Sequence, residues 1–148
     1  MPNDFKVRAA NEADAAPIAA LSRELGYSEE ASTMRDRLRR ILSRDDHRVY
    51  VAERAGGGVC GWIQAHSIDV LAYGFRVEIT GLVVSGQVRR LGVGRSLVAQ
   101  AEKWASEISA GTIVVRSNAK RVESHEFYPA LGYIASKTQV VYRKPTVI

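Results

Sequence analysis

The sequence predicts a fold of the α/β (α+β) kind, a mixed sheet covered by helices on both faces. Three observations carry this. Apolar–polar alternation marks strands near the start of the chain and again in a run from 47 to 84. Helical spacing marks segments that separate those strands, in the order β-α-α-β-β-β-α-β-α-β-β. Length and composition, 148 residues with 46% hydrophobic and 25% charged, suit one globular domain over residues 1–148.

Each element has a local reason. Phe5-Lys-Val-Arg-Ala9 alternates as a half-buried strand. Asn11 or Asp14 can cap a following helix that tolerates Pro17 in its first turn, carries Ile18, Leu21 and Leu25, and stops at Gly26. Ser28 opens a second helix with Met34, Leu38, Ile41 and Leu42 inward and Arg35, Arg37, Arg39, Arg40 and Arg44 mostly outward. His47–Arg54 and Val59–Val70 read as strands joined by a turn at Gly56-Gly57-Gly58, and Arg76–Val84 as a fourth strand. The strongest helix follows, with Leu97, Ala101, Trp104, Ala105 and Ile108 on one face and Gly111 at its end. Thr112–Arg116 is a short buried strand. Arg121–Leu131 is a helix with Pro129 near its end, closed by Gly132. Two last strands are expected near Tyr133–Ser136 and Gln139–Arg143.

Composition excludes several classes. The single cysteine, Cys60, cannot form an intramolecular disulfide, and three scattered histidines lack metal-ligand spacing, so no metal is expected. The opening MPNDFKVRAANEADA has no apolar core of a signal peptide, and no stretch of about 18 apolar residues exists, so a cytoplasmic protein off the membrane is expected. A net charge of +5 suits a polyanion or a phosphorylated ligand, and equally suits plain solubility.

Chemistry concentrates in EITGLVVSGQVRRLGVGRS, residues 78–96. An apolar strand runs into a loop with Gly92 and Gly94 and then into the strong helix. The first amides of a helix have no intrahelical partner, and the helix dipole adds positive charge there. Glycines admit close backbone approach, and Arg89, Arg90 and Arg95 add cations, so the segment reads as a phosphate or pyrophosphate cradle. A dinucleotide fingerprint would need glycine where Leu97 stands, and Gly94-Arg95-Ser96 lacks the lysine and upstream glycine of a P-loop.

Arg89-Arg90-Leu91-Gly92-Val93-Gly94 resembles the Arg/Gln-x-x-Gly-x-Gly/Ala signature of the GNAT superfamily of acyl-CoA-dependent N-acyltransferases. Glu78–Val84 is similar to that family's fourth strand, and FYPALGY at 127–133 to its C-terminal motif, so the likeness covers nearly the whole chain. The resemblance implies a mostly antiparallel sheet of six to seven strands with strands four and five splayed to admit a pantetheine arm. It implies acetyl-CoA as cosubstrate, with the backbone of Leu82, Val83 and Val84 along that arm. The amides of Arg90, Leu91, Gly92, Val93, Gly94 and Arg95, with the adjoining Ser96, would hold the pyrophosphate, helped by the charges of Arg89 and Arg95. A glycine commonly stands in relatives where this chain has Arg90. Gly81 could serve a bulge or close packing, and Asn118 is either a cofactor contact or a turn residue.

Within the same resemblance Tyr128 is the proton donor to the departing thiolate, against the plain reading of a Tyr packed beside Phe127. Glu78 is the candidate base, since an amine is mostly protonated at pH 7, against a strand carboxylate on a solvated face or bonded to Arg76. Cys60 reads as packing rather than an acyl carrier, His47 and His66 show no ligand pattern, and the expected mechanism is direct attack. Residues 24–30 and 67–75, with Tyr27, Tyr73 and Phe75, are where relatives wall the acceptor, a small-molecule or peptide amine. A non-catalytic acyl-CoA sensor and a basic nucleic-acid-binding module are the competing readings. The arginines of the second helix and the +5 charge speak for the latter, but no aromatic-rich RNA motif or recognition helix does, so no nucleic-acid partner is expected. The resemblance also allows a homodimer, though no sequence feature marks an interface.

Overall fold

The computed structural model describes residues 4–88, 91–117 and 122–147. The chain forms two compact units, Met1–Arg116 and Ser117–Ile148.

The first unit is built on a sheet in the order β1-β2-β3-β4-β5. Its strands are β1 (Phe5–Ala9), β2 (His47–Arg54), β3 (Val59–Val70), β4 (Gly74–Val84) and β5 (Ile113–Val115). The first four form an antiparallel meander, and β5 joins β4 in parallel. Helices α1 (Ala15–Arg23) and α2 (Ala31–Leu42) separate β1 from β2, and α3 (Val93–Glu107) separates β4 from β5. Strand alternation assigns the faces. Val49 and Val51 of β2 join Ile18 of α1 and Leu38 of α2 in one core, with Met34, Ile41 and Trp62 packed against it. On the opposite face, the space above Gly61 is filled by Val93 and Leu97 of α3, and the Arg48 guanidinium lies 4.9 Å from the Trp104 ring. The expected two-faced coverage is therefore present.

Several boundaries differ from the sequence reading. Asn11 caps a short 3-10 turn, Glu12–Asp14, in a reciprocal capping box with Asp14, so both expected caps act together before α1 begins. The second helix starts at Ala31 rather than Ser28, with extended Glu30 at its N-cap. β4 begins two residues before the expected Arg76. Residues 71–73 are then a tight hairpin turn in which the Tyr73 N–H donates to the Val70 carbonyl at 2.9 Å. At the end of α3 it is Ser109, at φ 61°, that takes the left-handed position expected of Gly111. The Ala110 and Ser109 amides then close onto the Ala105 and Ser106 carbonyls.

The second unit contains α4 (Val122–Ala130), with Pro129 in its last turn. The two C-terminal strands are not formed: residues 133–147 carry no regular secondary structure. Five strands thus stand among the described residues where six to seven are expected. A strand requires a partner ladder as well as propensity. Val140, Val141 and Tyr142 are all exposed, so neither side of that segment is covered as a strand face would be.

Candidate active site

Two features of β4 shape the first part of the site. Its ladder to β5 spans only Val77–Ile79 against Ile113–Val115. Past Ile79 the strand continues to Val84 with no partner on that side among the described residues, which is the expected splay of strands four and five. The Ser85 N–H donates to the Cys60 carbonyl on β3 at 2.8 Å. By alternation the backbone groups of Val84 and Leu82 then face the open side, and those of Val83 face β3. An extended ligand can pair with such an edge as an added strand.

The second feature is a bulge. Gln64 pairs with Gly81 and Ala65 with Ile79, so Thr80 is the extra residue. Gly81 also has a packing reason, because an added Cβ would lie 2.7 Å from the Trp62 ring. The two sequence readings of Gly81 therefore hold together.

Beyond β4 a 3-10 turn, Gly86–Val88, leads toward α3. Gly92 is the N-cap of α3 at φ 85°, a left-handed conformation in which other residues are strained. Open space lies where its Cβ would stand, no side chain caps the helix, and no acidic residue occupies the first turn. The first intrahelical bond is the Ser96 N–H to the Gly92 carbonyl at 3.0 Å, so the amides of Val93, Gly94 and Arg95 precede it. Buried Val93 and Leu97 anchor the helix against the sheet, while the Arg95 side chain is exposed. These groups fit an anionic pyrophosphate: free amides, positive helix end, a nearby cation and no competing carboxylate. Arg89, Arg90 and Asn118 lie outside the described residues.

Glu78 sits mid-β4 on the sheet face opposite α3, directly across from His66 of β3, which in turn pairs with His47 of β2. Arg76 donates to its Oε1 at 2.7 Å and Arg116 reaches the same oxygen at 3.4 Å. Oε2 lies 3.9 Å from His66 Nε2. Both rings and the carboxylate are mostly covered, with His66 side chain 21% and Glu78 15% exposed. Nε2 of His66 is buried with no hydrogen-bond partner among the described residues. The His47 and His66 rings meet edge to face at 5.2 Å, and Gln64 Nε2 lies 3.5 Å from His47 Nδ1. Burial pushes His47 below the usual histidine range, despite the opposing pull of Asp46. Arg76 also stacks over Tyr73, 5.0 Å from its ring. The expected alternative for Glu78, a bond to Arg76, is thus present, but it uses only one carboxylate oxygen.

Tyr128 belongs to the second unit, in the last turn of α4. Its ring meets Phe127 at 4.9 Å and Tyr133 at 5.8 Å, both edge to face. The Tyr133 N–H donates to the Tyr128 carbonyl and the Gly132 N–H to that of Pro129, each at 3.0 Å. This is a Schellman closure whose usual hydrophobic contact is the Tyr128–Tyr133 pair. Sequence motif and helix stop are therefore one feature. Tyr27, Tyr73 and Phe75 are exposed. Cys60 is buried and its thiol pushed up by that burial, which suits packing.

The sequence reading missed the histidines. Placing the hairpin turn at 71–73 would have found them, because that turn pairs 70 with 74 and, counting outward, 66 with 78. No group of His, Cys, Asp or Glu able to hold a metal occurs among the described residues, and no helix there is long and apolar enough to cross a membrane.

The sequence matches the profile of the acetyltransferase (GNAT) family over residues 15–133. An aminoglycoside N(6′)-acetyltransferase type 1 from Stenotrophomonas maltophilia is 26% identical over 143 residues, covering 94% of this chain and 92% of that protein. Among solved structures, a transcriptional regulator from Bacillus halodurans C-125 superposes with TM-score 0.85 at 22% identity, covering 95% of this chain and all of the other, 100%. The structure of AAC(6′)-Iy in complex with the bisubstrate analogue CoA-S-monomethyl-acetylneamine gives 0.84 at 20% identity, covering 97% and 99%. These likenesses in structure establish a shared fold.

Proposed function

The chain belongs to the acetyltransferase (GNAT) family, and on that premise we propose that it moves an acetyl group from acetyl-CoA to a primary amine of a small molecule or peptide. The single observation that carries the cosubstrate is the edge of β4, unpaired among the described residues, leading toward the N-terminus of α3 at Gly92, which no described side chain caps. The name of the Stenotrophomonas maltophilia relative, an aminoglycoside N(6′)-acetyltransferase, favours a small-molecule amine as acceptor.

The whole chain, 1–148, acts as one catalytic domain in this reading. Bound acetyl-CoA supplies an activated acetyl thioester. The backbone of Leu82 and Val84 aligns its arm, with Val83 holding the strand to β3. The amides at Gly92–Arg95, with Leu91 and Ser96 beside them, hold its pyrophosphate, and Arg89, Arg90 and Arg95 add charge. Asn118 contacts the cofactor near the end of β5. Glu78 takes a proton from the acceptor ammonium through Oε2, freeing the nitrogen lone pair to attack directly. Tyr128 supplies a proton to the departing sulfur.

The test is a thermal-shift titration with acetyl-CoA, followed by a thiol-release screen over amines, aminoglycosides and peptides. A rise in Tm that grows with ligand concentration, together with thiol release, is expected. Absence of any shift at millimolar acetyl-CoA would sink the cosubstrate assignment. A shift with no thiol release from any amine would point to an acyl-CoA sensor.

A further inference from the structure

We propose that His66 is the second half of the base, a positioning residue that acts through Glu78 and receives the proton the carboxylate removes from the acceptor. This rests on the acetyl-transfer reading. The observation behind it is an asymmetry around one carboxylate. Oε1 is held by Arg76 and Arg116, whereas Oε2 faces a buried imidazole nitrogen that has no hydrogen-bond partner among the described residues. Four buried side-chain nitrogens among the described residues have no partner, and of these Trp62 Nε1, Trp104 Nε1 and Arg76 Nε are donors only, whereas His66 Nε2 can accept a proton.

The separation supports that role. At 3.9 Å the pair is just beyond hydrogen-bond distance, and a movement of roughly an ångström by either side chain closes it. Nε2 must be the unprotonated nitrogen to accept, which places the resting proton on Nδ1. His66 meets Glu78 of β4 and the His47 ring of β2; Arg76 and Arg116 are held on Glu78, and Gln64 lies beside His47. Asp46 lies 3.8 Å from His47.

The protons balance as follows. An N–H bond of the acceptor ammonium breaks and its proton forms an O–H bond at Glu78 Oε2. The electron pair left on nitrogen becomes the nucleophile. The proton then passes from Oε2 to Nε2, giving imidazolium beside a restored carboxylate; the imidazolium loses its Nδ1 proton, and tautomer exchange returns the remaining proton from Nε2 to Nδ1. Passing the proton on returns Glu78 to the carboxylate with which the two guanidinium groups pair. An imidazole is a side chain able to take up and give back a proton in this step.

The test has a part that needs no acceptor. Proton titration of histidines labelled with carbon-13 at Cε1, followed by NMR, reads His66 in the wild type and in Glu78→Gln, with His47 as internal reference. The expected result is that removing the Glu78 charge changes the His66 signal response more than that of His47. An unchanged His66 titration overturns the pair. The second part is kinetic: in His66→Gln, kcat falls about tenfold or more, KM for acetyl-CoA stays, and the acidic limb of the kcat/KM profile moves. An unmoved limb with full kcat overturns the relay even if acetyl transfer is robust. Coupled titration in a protein that acetylates no amine would instead refute the acetyl-transfer reading, and the relay with it. If His66→Gln does not fold, the titration of Glu78→Gln still decides the pair.

Discussion

Two carboxylates in this protein are each gripped by arginine, and they are not alike. Asp14 is saturated. Arg8 donates to both of its oxygens at 2.9 Å and the Asn11 amide to Oδ2 at 2.8 Å. Glu53 accepts from the same guanidinium at 3.1 Å, balancing its charge. Glu78 is half-saturated, with two guanidinium groups on one oxygen and a partnerless imidazole nitrogen beside the other. The first arrangement ties β1, the 3-10 turn and β2 together and leaves neither oxygen without a donor. The second leaves an oxygen with spare capacity on the face of β4. On the proposed reading, the open oxygen of Glu78 is the one that meets the acceptor, and the closed pair at Asp14 is structural.

Substitution should separate the two. Asp14→Ala removes a carboxylate whose side chain is 6% exposed from a guanidinium 26% exposed. It should cost ~3 kcal/mol of stability in urea unfolding, toward the lower end for a broken buried pair because Arg8 can still reach water and Glu53. Acetyl transfer below the lowered Tm should be nearly normal. Glu78→Gln should do the reverse: a loss of about a hundredfold in kcat/KM, equivalent to ~2.7 kcal/mol at the transition state, with stability changed by about 1 kcal/mol. If Asp14→Ala proved as damaging to turnover as to stability, the division between the two carboxylates would be wrong.

Acid should reveal the same division by a different route. Burial is the strongest influence on Asp14 and pushes its carboxyl up, but the Arg8 and Asn11 hydrogen bonds together outweigh it and leave it below the usual range. A folded-state pKa below the unfolded one means the unfolded chain binds more protons. The stabilisation is then complete above about pH 4 and is lost as pH falls through the folded value. His47, also lowered, adds a milder loss as pH falls through its unfolded value near 6.5, because the buried neutral ring resists charging. Urea midpoints measured from pH 8 down to 3 should therefore show a shallow decline near 6.5 and a steeper one below 4. Asp14→Asn should flatten only the steeper one.

Much of this was legible in the sequence because local chemistry decided it. β2 and β3 follow from alternation around the glycine turn, and α3 from one apolar face. The phosphate-binding reading needed only a strand, glycines and a helix start, all adjacent in the chain. What escaped was non-local. The Arg8–Asp14–Glu53 network joins residues up to 45 positions apart, and Arg116 reaches Glu78 across 38. The partnership of Glu78 with His66 depends on register, which a one-residue error in the turn would invert. Strand propensity near 139–143 was real, but no local signal tells whether a ladder exists to receive it. Ser109 replaced Gly111 at the helix end because the closing bonds fix the position first and the residue type second.

The smallest effect tests the grip on Glu78 itself. Arg76 and Arg116 bond the same oxygen, but Arg76 is 13% exposed at 2.7 Å and Arg116 is 56% exposed at 3.4 Å. An exposed, longer ion pair is screened by water and contributes little, ~0.5 kcal/mol or less. Arg116→Gln should thus leave the urea midpoint almost unmoved. Arg76→Gln should lower it measurably, since Glu78 then keeps only the longer, exposed partner and the stack over Tyr73 is lost. On activity the two should also differ in size: about twofold for Arg116→Gln, and larger for Arg76→Gln, where the carboxylate is freed to rotate away from the acceptor. Equal effects of the two substitutions would mean that charge near Glu78, rather than the fixed orientation of its Oε2, is what the arginines provide.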